Sequence, residues 1–140
     1  MVFLLLLTAC RRVVCDCADG DYKSLFFLSK TDNSDLIASG DYSLDSLRIV
    51  PFLIDPNKPG PLIRIEPDTG FGYNILLRAD KNTAGYAIQL DTLPPDTLLV
   101  TTLQSEGGDC CAGMTEFETL TLNGVEIPND YTVCCINILK

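Results

Sequence analysis

Apolar residues recur along this chain in short runs, each rich in Leu, Ile, Val, Phe or Tyr and each halted by residues that favour turns. The runs Leu25–Leu28, Ser46–Ile54, Leu62–Glu66, Tyr73–Arg78, Gly85–Leu90, Thr97–Leu103, Glu116–Leu122 and Tyr131–Leu139 predict about eight short strands. Between them stand Asp55–Pro61, Pro67–Gly70, Asp80–Asn82, Pro94–Asp96, Gly107–Asp109 and Pro128–Asp130, all built from turn-initiating residues. Connections this short favour antiparallel neighbours. The sharpest local signal is Leu120–Ile127, where Asn123-Gly124 sits between alternating residues as a type I′ turn requires, and it predicts a β-hairpin.

Side-chain alternation assigns faces to these strands. Tyr86, Ile88 and Leu90 fall on one face and Gly85, Ala87 and Gln89 on the other, so the first set should enter the core. Ser46–Ile54 and Thr97–Leu103 are apolar on both faces, which favours central strands covered on two sides over a face kept for a partner. No segment has the spacing of a long amphipathic helix. The expected fold is therefore all-β, an antiparallel β-sandwich, with an immunoglobulin-like arrangement preferred as an architectural analogy. The Cys…Trp…Cys core of antibody-type domains is missing, because the chain has no tryptophan.

The first residues follow a different rule. Val2–Ala9 is an unbroken apolar run, far short of the ~20 residues a membrane-spanning helix needs. Read alone, such a run also suits a buried strand or core helix segment. Here it closes on small residues and a cysteine, and a polar, turn-rich stretch (Arg11–Asp21) follows. Leu7-Thr8-Ala9-Cys10 resembles the lipobox of bacterial lipoproteins, although Met1-Val2 supplies no positive charge ahead of the apolar core. The resemblance implies a signal peptide over residues 1–9, a lipidated tether over 10–21 with the acyl chains on Cys10, and one domain over 22–140. Several buried acyl chains, at about 0.8 kcal/mol per methylene, hold a protein durably on a membrane. Arg11 and Arg12 would then stand beside lipid phosphates, or simply in water.

Seven cysteines is an odd number for a secreted chain, and assigning Cys10 to lipid leaves six. Cys15, Cys17, Cys110, Cys111, Cys134 and Cys135 are disulfide candidates in an oxidising envelope, with their pairing left open. Neighbouring residues in a strand point to opposite faces, which disfavours a bond within Cys110-Cys111 or Cys134-Cys135. The competing chemistry is thiolate binding of copper or zinc. It lacks the CxxC-type spacing, often joined by histidine, that structural zinc sites use.

A net charge of −9 repels phosphate backbones and anionic headgroups, so no nucleic acid partner is expected. The absence of histidine rules out Ser-His-Asp, Cys-His and HExxH chemistry within this chain. Glu116 and Glu118, two apart in a strand, should share a face at about 6–7 Å, a separation within reach of glycosidase chemistry. Alternating charge on a solvent face is the commoner reason for such a pair. Asp16, Asp19 and Asp21 do not fit a calcium loop and read as a hydrated tether. Phe71 and Tyr73, in a glycine-bearing turn, are the candidate ligand-binding residues, with anchorage of their own loop as the alternative. No metal site, cofactor or catalytic residue is assigned.

The layout resembles small envelope lipoproteins of Bacteroidota-type bacteria. That resemblance implies a lipid-anchored binding or structural module whose partners are the membrane, through its anchor, and an envelope protein or glycan. Periplasmic thiolate metal handling and a small carboxylate hydrolase are the alternatives.

Overall fold

The computed structural model describes residues 21–67, 72–104, 113–129 and 135–140. Among them there is no α-helix; the chain forms nine strands and one short 3-10 helix, Leu44–Ser46. The strands are β1 (Tyr22–Leu28), β2 (Leu47–Leu53), β3 (Ile63–Glu66), β4 (Asn74–Arg78), β5 (Thr83–Leu90), β6 (Asp96–Gln104), β7 (Thr115–Leu122), β8 (Val125–Ile127) and β9 (Cys135–Leu139). They build a four-stranded sheet in the order β3-β4-β1-β9 and a five-stranded sheet in the order β2-β5-β6-β7-β8. The result is a β-sandwich.

Alternation explains the packing. In β1 every second residue is buried, so Leu25 and Phe27 face inward, and Ile75 and Leu77 of β4 and Ile136 and Ile138 of β9 do the same. From the other sheet come Tyr86, Ile88 and Leu90 of β5, Leu98 and Val100 of β6, and Phe117 and Leu120 of β7. Both sets join one apolar cluster. The face assigned to Tyr86, Ile88 and Leu90 is thus the core face, and all three are fully buried.

The predicted hairpin joins β7 to β8, with Leu120 opposite Ile127 and Leu122 opposite Val125. Asn123 (φ 50°) and Gly124 (φ 82°) both take the left-handed conformation that a two-residue I′ turn needs. Gly85 has a different necessity: a Cβ built on it would lie 2.4 Å from the Leu98 carbonyl oxygen, so no larger residue fits between β5 and β6 without backbone movement.

Two expectations are corrected. The sandwich is not wholly antiparallel, because β9 lies parallel to β1, Ser24 beside Cys135 through Leu28 beside Leu139. The core order is immunoglobulin-like: β3-β4-β1 and β2-β5-β6 follow the D-E-B and C-F-G orders of that fold, with β9 beside β1 where its first strand would lie and β7-β8 extending the other sheet. Second, β2 is not a central strand. It is an edge, and its outer face leaves Val50 at 57% and Phe52 at 39% exposure, with Leu99 of β6 at 48% on the same side. The double-sided apolar pattern therefore marks a solvent-facing surface and not a second covering layer.

The β2 edge is nevertheless protected. Asp91 N–H donates to the Ser46 carbonyl (3.1 Å), which by alternation gives Arg48, Val50 and Phe52 the ladder bonds to β5. Pro51 falls where its N–H would point at the open edge, so the edge lacks a donor at its middle.

Candidate functional site

The body has two dissimilar ends. Asp21, the first described residue, accepts the Phe117 amide (2.9 Å) on its carboxylate and the Ala79 amide (2.8 Å) on its carbonyl. Ser24 faces Cys135, and Ile54 N–H donates to Asn82. The start of β1, the start of β7, the start of β9 and the turn before β5 therefore share one end, called here the anchor end. The opposite, distal end carries the Asn123-Gly124 turn, the Asp91 turn, Lys140 and residues 29–46.

Two clefts flank the 3-10 helix at the distal end, and Asp45 lines both. One, of about 400 Å³, is walled by Ile37, Ala38, Tyr42, Leu44 and Tyr73. The other, of about 440 Å³, is polar, with Asp45, Arg48, Gln89, Asp91 and Thr92. Ser43 caps the helix by accepting the Asp45 amide on its hydroxyl (3.2 Å), which leaves the Asp45 carboxylate at the shared rim.

Tyr73 is placed between its two readings. Its ring is only 3% exposed and packs edge-on to Phe26 at 6.1 Å, so it anchors its own loop to the core. Its hydroxyl donates to Asp35, whose other oxygen accepts the Ile37 and Ala38 amides (3.0 Å each). Burial first, and the Asp35 carboxylate second, raise the phenol above its ordinary range. What remains for a ligand is the rim of the ring. Phe71 lies outside the described residues.

The other candidates separate. Glu118 occupies a bulge in β7, where Thr101 faces Thr119 and Thr102 faces Phe117, and its carboxylate accepts the Thr101 hydroxyl at the surface (3.3 Å). Phe117 between them is buried, so Glu116 and Glu118 keep the shared outer face that alternation predicts. Asp21 serves structurally, as above, and Asp16 and Asp19 lie outside the described residues. Cys135 is disulfide-bonded. Cys10, Cys15, Cys17, Cys110, Cys111 and Cys134 lie outside the described residues. Among the described residues no group of His, Cys, Asp and Glu is arranged to hold a metal ion, and no helix is long and apolar enough to cross a membrane.

Sequence reading missed Asp35, Tyr42, Asp45 and Asp91. Ser43-Leu44-Asp45 carries a local capping signal, yet the clefts join residues from loops far apart in sequence, which no spacing rule reaches. No family model, curated protein or solved structure matches the chain.

Proposed function

We propose that this protein is a lipid-anchored, disulfide-stapled binding module of the cell envelope, held at the anchor end and presenting its distal clefts to an envelope protein or glycan. The observation that carries this reading is the polarity of the body. The chain that follows Cys10 enters at Asp21, and the connections bearing Cys110-Cys111 and Cys134 join strand ends at that same end. Strand ends that share one end of the body suit cross-bonding of the cysteines in the segments attached to them, and leave the opposite end free for contacts. Two open clefts with a shared carboxylate stand there. Glu116 and Glu118 lie on an open strand face and belong to the lining of neither distal cleft, and binding is the better-supported class.

The test is the intact mass of the protein extracted from its native membrane and alkylated without reduction. A chain that begins at an acylated Cys10 and carries no alkylated thiol is the expected result. A chain that retains residues 1–9, or that carries several alkylated thiols, overturns the reading and turns attention to thiolate metal binding.

A further inference from the structure

The outer face of the four-stranded sheet holds two arginines on one aromatic ring. The Arg64 guanidinium lies 5.7 Å from the centroid of Tyr22, and that of Arg78 lies 5.9 Å from the same centroid. All three side chains share the outward face. Tyr22 alternates with inward Lys23 and pairs with Arg78, while Arg64 stands opposite Leu76, the outward neighbour of inward Ile75 and Leu77.

Two like charges gathered on one ring repel each other, and the ring's negative face offsets only part of that cost. Each guanidinium carries five donors, and a nearby carboxylate would be the usual neutralising partner. None is within ion-pair distance among the described residues, where the ion pairs are Lys58–Asp55 and Lys140–Asp96. Among the acids nearest in sequence, Asp21 holds the Phe117 amide and Asp80 the Asn82 amide and the Thr83 hydroxyl, while Glu66, two residues from Arg64 on the same face, is not within ion-pair distance of either arginine. The arrangement is that of an unfilled anion site, with planar forks suited to phosphate oxygens.

We propose that Arg64 and Arg78, held on Tyr22, bind the phosphate of an anionic phospholipid headgroup. Location selects this occupant and rests on the anchored reading above. Tyr22 begins the body at the anchor end, and the twelve-residue path from Cys10 to Tyr22 reaches at most about 40 Å even when fully extended. The site is thereby kept close to a bilayer. The overall charge of −9 does not prevent this, because salt screens charges more than about 8–10 Å away and leaves the local pair to decide. Headgroup binding would turn the outer face of the β3-β4-β1-β9 sheet toward the membrane.

The test uses the full chain carrying Cys10→Ser, so that no acyl group contributes, sedimented with vesicles of phosphatidylcholine alone or mixed with phosphatidylglycerol. The apolar leader adds equally to both, so the readout is the gain in partition that phosphatidylglycerol brings. The proposal expects a clear gain in the parent chain that falls roughly thirtyfold in Arg64→Gln/Arg78→Gln, two cations being removed near the surface. Tyr22→Leu should lose part of the gain with both charges intact. Unchanged urea midpoints keep folding out of the comparison, both arginines being on the outer face. An equal gain in the double variant overturns the site. Protection of the two arginines by inorganic phosphate, with no gain on vesicles, overturns the lipid assignment. Failure of either kind is distinct from failure of the anchor, which the intact mass reads independently.

Discussion

The two ends of the sandwich are closed by different chemistry. At the distal end Lys140 forms an ion pair with Asp96, both side chains about nine-tenths buried, and its ammonium also donates to the Pro94 carbonyl (2.7 Å). Asn123 donates to the second Asp96 oxygen (2.8 Å), and the Thr97 amide donates to Asn123 (2.9 Å), so one network ties β9, β6 and the β7–β8 turn together. The anchor end depends on a neutral amide. Buried Asn82 accepts the Asp55 amide (2.8 Å) and donates to the carbonyls of Asp55 (3.0 Å) and Pro59 (3.2 Å), pinning the 55–59 loop, and in the other sheet β9 begins at this end with the disulfide-bonded Cys135. A charged closure fails when one partner is lost; an amide closure loses only its own bonds.

That contrast can be broken, and the largest effect should come from the ion pair. Asp96→Ala leaves the Lys140 ammonium buried without its counter-ion, which should cost about 3–5 kcal/mol in urea unfolding. The double replacement Asp96→Leu/Lys140→Met should recover most of that loss. A single-variant cost under about 1 kcal/mol would mean that Lys140 swings out to water and that the distal closure is not ionic.

Next in size is Asn82→Ala at the anchor end. It removes the loop's bonding hub and leaves part-buried amide and carbonyl groups unsatisfied, for an expected loss of about 2 kcal/mol. Urea unfolding at low and high salt should give the same difference from the parent. A marked salt dependence would show that charge also holds the anchor end.

The smallest effect at neutral pH concerns the tyrosines and appears only in alkali. Tyr73 at the distal end and Tyr86 on β5 both have their phenols raised, each first by burial and then by a carboxylate, Asp35 and Asp80 respectively. The folded state thus favours the neutral phenol. This stabilisation is complete below the ordinary tyrosine value of about 10 and is lost as pH rises beyond it. Tyrosinate absorbance should rise late and together with unfolding, and Tyr73→Phe should remove only the distal share. Two phenols that ionise near 10 in a protein still folded would contradict the shifts.

Much of the fold was legible because it is local. Turn residues marked most strand ends, Asn123-Gly124 specified its hairpin, and alternation chose the inward face of β5 correctly. What escaped is non-local. The parallel β1–β9 pair joins segments from opposite ends of the described chain, and neither carries a mark of its partner. Double-sided apolar character in β2 could not distinguish a covered strand from an exposed edge; only strand order does so. The bulge at Glu118 carries no mark of its own in the sequence. The distal clefts depend on loops that meet only after the sheets close, while the Tyr22 stack needs β3, β4 and β1 in register.

The parallel seam between β1 and β9 also orders events in time. Strands β5 to β8 are sequence neighbours joined in succession, so this part of their sheet meets little loop-closure cost and can form early, before β2 joins across the intervening β3 and β4. The other sheet cannot finish in the same way. Its first strand must wait for the last, and until then Leu25 and Phe27 lack the neighbours Ile136 and Ile138 that complete their side of the core. A nascent chain of this topology stays incompletely folded until β9 has been delivered, and is exposed to aggregation on the way.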